Sequence, residues 1–368
     1  MDLEKLKNIL RQVYPFNPYP AKEQHSDSDN PTSIVWGFSG GSTQGPVLLG
    51  AAKALNEHGI YPTQGYGKSI GAVAIAAYFG LLEQYKNNPS RFEQYPSGPA
   101  QELEERILTR DPLLKFFSKW SIANKKGFVD TTPIDDLLAE ILGEKTFRDF
   151  PSHDGSGSAL KIVAHKAGSQ EDITFGDVGL NNKIIDIVRH SISIAGVIEA
   201  KPYDGEDITN VLKKGDLLLD GGILRISPLR ELYAKEHDLR VLVYLGFHSG
   251  HSGLDSIMNG EKKNVRWSRP VKKVTEDLIE KLSMDYEIAR SGASDREWHD
   301  LEEDTKTCTG MTVKEAMECM DPEFLMIAPK YKHVRFNSSY PTKELIEAGY
   351  RGAIDTLRLH QKIHGKLK

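Results

Sequence analysis

Between Ser33 and Tyr78 the chain alternates strand, glycine turn, helix, strand, tight turn, helix, and this alternation limits the fold more than any other feature. Ser33-Ile34-Val35-Trp36-Gly37-Phe38 is short, apolar and β-branched, which suits a buried strand. Ser39-Gly40-Gly41-Ser42-Thr43-Gln44-Gly45 ends it, and Pro46 opens a helix that runs to Glu57 and closes at His58-Gly59. Thr63 to Gly67 reads as a second strand, Lys68 to Gly71 as a tight turn, and an Ala-rich helix follows to about Tyr78. A helix between two strands returns the chain to the end of the sheet where it began, so the strands pair in parallel. The expectation is an α/β fold with both turns on one sheet edge, the edge where open α/β sheets bind ligands.

Later segments continue the pattern. Asn87 to Gln101, with three prolines, reads as a loop, and Glu102 to Trp120 and Ile134 to Leu142 as helices. Leu160 to His165 and Asp172 to Phe175 are strand-like, and Asn182 to Ala195 is an amphipathic helix. Leu217 to Leu219 leads into Asp220-Gly221-Gly222, Leu239 to Gly246 is the clearest strand, Phe324 to Ala328 a late one, and Thr342 to Ile363 a closing helix. Residues 1–30 read as a helical and loop extension, and residues 31–368 as one domain. Glu261 to Arg269, rich in Lys and Arg, reads as a solvated loop.

Composition excludes several classes. A formal net charge of −5 without a dense cationic stripe argues against nucleic-acid partners, because neutralising phosphates takes clustered cations. Cys308 and Cys319 are too few for a disulfide scaffold or a cysteine zinc site, and they fit a reducing compartment, with a single bridge between them as the alternative. Met1 to Lys5 lacks the start of a signal peptide, and the apolar run from Ser69 to Leu82 is shorter than the ~20 residues that span a bilayer. The expectation is a cytoplasmic or peripheral membrane protein, with export lacking a cleavable signal as the alternative.

Three places carry chemistry. Gly67-Lys68-Ser69-Ile70-Gly71 is a G-x-S-x-G pentad between strand and helix; such a turn projects the serine Oγ from the sheet, and small neighbours let the backbone pass. The loop Gly40 to Gly45, one strand–helix unit earlier, offers backbone N–H groups at a helix start, as an oxyanion hole does. Asp220-Gly221-Gly222 sets an acid at the end of an apolar run, where its carboxylate would reach Ser69. Each also has a plainer reading: a chance pentad, a simple strand–helix connection, a turn. Gly67-Lys68-Ser69 also ends a phosphate-loop pattern, but Pro62 stands where that pattern needs its first glycine. His248-Ser249-Gly250-His251 lacks the acid or cysteine pair of a metal site and reads as a polar loop.

In order, the three motifs resemble those of the patatin-like phospholipase family: S-G-G-G-x-[RK]-G at Ser39 to Gly45, G-x-S-x-G at Gly67 to Gly71, and D-G-[GA] at Asp220 to Gly222. Lys126 to Leu138, Ser191 to Val197 and Glu344 to Tyr350 extend the resemblance to roughly residues 33–360. It implies a three-layer α/β/α fold with a mainly parallel central sheet. It implies a Ser69–Asp220 dyad without histidine, an oxyanion hole from Gly40, Gly41 and Ser42, and the flanking residues Gly67, Lys68, Ile70, Gly71, Gly221 and Gly222. No metal or cofactor is implied. The substrate would be a phospholipid or another fatty-acyl ester, met at a membrane surface. Ser42 replaces the third glycine of the first motif and Gln44 its basic residue. Two alternatives stay open: an inactive relative that binds lipid or protein, and an α/β-hydrolase triad completed by His248, His251 or His333.

Overall fold

The computed structural model describes residues 33–41, 44–110, 131–153, 155–170, 172–194, 198–208, 210–245, 301–308, 310–313, 315, 323–329 and 342–364. The N-terminal extension, Ser42, Cys319, the loop 261–269 and His248, His251 and His333 lie outside them.

Seven strands form one mixed, mainly parallel sheet: β1 (Ile34–Phe38), β2 (Gln64–Lys68), β3 (Leu160–Lys166), β4 (Asp172–Phe175), β5 (Leu218–Leu219), β6 (Leu239–Val243) and β7 (Phe324–Ile327). Its order is β4-β3-β2-β1-β6-β7; β1, β2, β3, β6 and β7 run parallel, while β4 and β5 pair antiparallel with β3. The helices that frame it are α1 (Gly45–Glu57), α2 (Ile70–Asn87), α3 (Pro99–Arg110), α4 (Thr132–Leu142), α5 (Ile184–Ser191) and α6 (Thr342–His364).

Side chains alternate across the sheet, so each face has its own core. Trp36, Phe38, Val241, Val243 and Leu325 pack among the helices on one side. Val35, Tyr66, Leu242, Phe324 and Met326 pack on the other against Leu229, Leu232 and Leu301. Layers on both faces meet the expectation of an α/β fold with a mainly parallel sheet.

Several boundaries differ from the sequence reading, among them the end of β2, which includes Lys68. Helix α2 runs on to Asn87, since Phe79, Leu81, Leu82 and Tyr85 are buried and extend its packing. The stretch read as a loop contains a helical turn, Arg91–Gln94, and the start of α3 at Pro99, a residue suited to a first turn. Helix α5 ends at Ser191, short of the expected Ala195, because the residues after it turn to hydrogen-bond the acid segment described below.

Candidate active site

The pairing register assembles the site. Phe38 of β1 lies opposite Gly67 of β2, so the glycine loop and the pentad leave the sheet side by side. Strand β5 supplies the third piece. His165 of β3 pairs with Asp172 on one edge and with Leu219 on the other, the edge that β2 occupies up to Lys68↔Val163. Strand β5 therefore runs along β3 toward the end of β2, and the next residue, Asp220, meets the residue that follows β2, Ser69.

Ser69 sits at φ 51°, ψ −128°, one of two non-glycine residues with positive φ among the described residues. A side chain is rarely held there, and the conformation costs about 1–3 kcal/mol that the surroundings must offset. They do so through backbone packing. A Cβ on Gly71 would come 2.2 Å from Phe38 O, and one on Gly67 would come 2.6 Å from Gly71 O, so only glycine admits this turn at both places. A Cβ on Gly40 would lie 3.2 Å from Ser69 Cβ, which puts the glycine loop directly against the serine.

A second serine locks the arrangement. The Ser69 N–H donates to Ser191 Oγ (3.0 Å), and that hydroxyl donates to Val163 O of β3 (2.6 Å). The Gly221 N–H donates to Ser191 O and the Asp220 N–H to Ser193 O, each at 3.0 Å. The end of α5 thus holds both the elbow and the acid segment. Ser191→Ala leaves the buried Ser69 amide without its acceptor, so we expect a loss of about 1–3 kcal/mol in urea unfolding, with a larger loss of turnover than of substrate affinity.

Asp220 is 6% exposed. Its Oδ1 accepts from the Gly222 N–H at 2.8 Å, while Oδ2 is buried without a hydrogen-bond partner among the described residues. Burial pushes this carboxyl up from its ordinary 3.8 to about 7. The Ser69 hydroxyl, the Gly222 N–H and the charge of Lys68 favour the ionised form and offset part of the rise, and Asp172 adds to it. A carboxylate titrating near neutral pH beside a hydroxyl is suited to general-base work.

The glycine loop departs from expectation at Gly40. Its N–H donates to Ile226 O at 2.9 Å, so Gly40 contributes close approach rather than a free donor. Ser39 fixes the loop: its Oγ accepts from the Leu245 N–H and donates to Gly40 O. The Gly41 N–H makes no hydrogen bond among the described residues.

Lys68 lies inside the protein. It is 1% exposed and ion-paired with Asp172 and Glu231, which removes the nucleotide reading of Gly67-Lys68-Ser69. Asp172, Glu231 and His165 had no signal in the sequence, because Asp172 and Glu231 reach Lys68 only across the folded sheet.

At Ile70, the residue after Ser69, lies a small recess of about 40 Å³ lined only by apolar residues, among them Val73 and Ala77 of α2, Leu49 of α1, Leu103 of α3 and Leu137 of α4. Among the described residues no helix is long and apolar enough to cross a membrane, and no group of His, Cys, Asp and Glu could hold a metal ion.

A family model described as patatin-like phospholipase matches residues 38–233, a span that includes the glycine loop, the pentad and the Asp-Gly-Gly segment. No curated protein matches the chain. Solved structures with a resemblance include VipD from Legionella pneumophila, at 14% identity and a TM-score of 0.38 over 95% of this chain and 73% of that one. Another is human GIVD cytosolic phospholipase A2 in complex with methyl gamma-linolenyl fluorophosphonate, at 11% identity and a TM-score of 0.31 over 74% of this chain and 49% of that one.

Proposed function

Since the chain belongs to the patatin-like phospholipase family, we propose that it hydrolyses fatty-acyl esters of phospholipids, with Ser69 as nucleophile and Asp220 as base. The observation that carries this reading is the strained Ser69 turn set against the buried Asp220 carboxyl, whose Oδ2 has no hydrogen-bond partner among the described residues.

In the proposed reaction the Ser69 Oγ attacks the ester carbonyl carbon while Asp220 accepts its proton. The Gly41 N–H, with the next amide in the chain, stabilises the oxyanion. Collapse breaks the ester bond; the lysolipid oxygen leaves with the proton from Asp220, and an acyl group remains on Ser69. Water then attacks this acyl-enzyme with Asp220 again as base, releasing the fatty acid and restoring the serine. No step needs a metal or cofactor. The apolar wall of the recess at Ile70, Val73 and Leu137 would meet the methylenes of the acyl chain nearest the ester, each worth roughly 0.8 kcal/mol when buried. The lipid would be met at a membrane surface, by peripheral contact.

The test is release of free fatty acid from mixed phospholipid vesicles, run beside labelling with a serine-directed fluorophosphonate. Wild type is expected to release fatty acid and to take the label, and Ser69→Ala to do neither. A wild-type protein that does neither while a lipase control does both would identify a binding relative. Retained labelling in Ser69→Ala would place the nucleophile elsewhere.

A further inference from the structure

A charged cluster built on the buried Lys68 and His165, beside the elbow, takes no part in the proposed reaction. Lys68 Nζ lies 3.0 Å from Asp172 Oδ2 and 2.8 Å from Glu231 Oε1, and Asp172 Oδ1 lies 3.2 Å from Nδ1 of the fully buried His165. Burying an ammonium and its counter-charges costs more than an apolar packing of the same volume, so such a cluster is weak evidence for stability alone. Its placement suggests another role. Lys68 is the last residue of β2 and precedes the nucleophile; Asp172 begins β4. Glu231 lies in the helical turn Leu229–Leu232, at the far end of the segment that starts at Asp220. Midway along that segment, Ile226 O accepts from the Gly40 N–H. The acid segment is thus fixed near its start by Ser191 and Ser193, in the middle by Gly40 and at its end by Lys68.

Resting on the reading of Ser69 and Asp220 given above, we propose that Lys68 is a positioning residue, whose buried bridge to Asp172 and Glu231 clamps the Asp220 segment to the nucleophile strand and sets positive charge within reach of the Asp220 carboxylate. The charges that act on Asp220 agree. Lys68 favours its ionised form, Asp172 opposes it, and the Ser69 hydroxyl and the Gly222 N–H support ionisation. Burial works against the charge on Lys68 itself, yet Glu231 and Asp172 outweigh it and hold the lysine pKa above its ordinary value. Burial likewise opposes ionisation of Asp172, and Lys68 and His165 outweigh that, keeping its pKa below the usual value.

The test is the rate of fluorophosphonate labelling as a function of pH, on the full chain. Lys68→Met alone leaves two half-buried carboxylates without their cation, so it is combined with Glu231→Gln; Asp172 keeps His165 as its partner. The double variant is expected to melt cooperatively, to label roughly tenfold more slowly or worse, and to show an acid limb raised by about one pH unit. Glu231→Gln alone keeps the ammonium with one carboxylate fewer, and its acid limb is expected to move down. A folded double variant that labels at the wild-type rate with an unmoved limb would overturn the proposal. So would a limb that rises in Glu231→Gln, which decides the matter if the double variant does not fold. Wild type labelled at Ser69 with an indifferent double variant removes this inference alone. Wild type that resists labelling removes the reading of the site and this inference together.

Discussion

Asp220→Asn is expected to cut fatty-acid release by about 10³-fold and to make the protein more stable at pH 8. The amide keeps an oxygen for the Gly222 N–H but cannot accept the serine proton, and a positioned general base contributes about 10²–10⁴ in rate. The stability effect has the opposite sign. The carboxyl is raised by burial from 3.8 to about 7, so across that interval the native state holds a proton that the unfolded chain has released. The contribution of Asp220 to stability is therefore fully present below about pH 4 and is lost as pH rises through 7. Above pH 7 the buried charge costs the wild type a few kcal/mol that asparagine avoids. Melting curves of the two proteins should converge near pH 4, separate up to pH 7 and run parallel beyond, with the variant higher. Wild-type turnover should rise through the same range as Asp220 ionises. A wild type more stable than Asp220→Asn at pH 8 would mean that the carboxylate is better satisfied than its unpartnered Oδ2 indicates.

The second large effect concerns the turn itself. Ser69→Ala and Ser69→Gly both remove the nucleophile, so both should lower fatty-acid release by at least about 10³-fold. They should differ in stability. Alanine keeps a Cβ at φ 51°, ψ −128°, where only glycine is at ease, and so keeps the strain of about 1–3 kcal/mol. Glycine relieves that strain, less the roughly 0.5–1 kcal/mol it loses by ordering a freer chain. In urea unfolding, Ser69→Gly should exceed Ser69→Ala by about 1 kcal/mol. Equal stability would mean that the conformation carries no strain and that the serine is not held poised.

Much of this site is legible in local sequence. β-Branched runs, proline at a first helical turn and glycines at tight turns mark β1, α1, β2 and α2, and strand–helix alternation sets their parallel pairing. Ser69 stands out for the same reason, because a strained turn requires small residues on either side and Gly67 and Gly71 are adjacent in the chain. Helix ends are less legible: α2 runs past Tyr78 and α5 stops at Ser191, since buried neighbours rather than propensity set both ends.

What the chain's order of residues determines, then, is whatever depends on near neighbours: the strands, the elbow and the glycine loop beside it. The tertiary structure alone decided what depends on distant segments meeting. Strand β5 lies on the vacant edge of β3 past the end of β2, which brings Asp220 to Ser69 and buries it enough to titrate near neutrality. The same packing commits the Gly40 amide to Ile226 and buries Lys68 between Asp172 and Glu231. The physical reason is that burial and Coulomb interactions follow distance in space, and a lysine at the end of a strand carries no local mark of the carboxylates that folding brings to it.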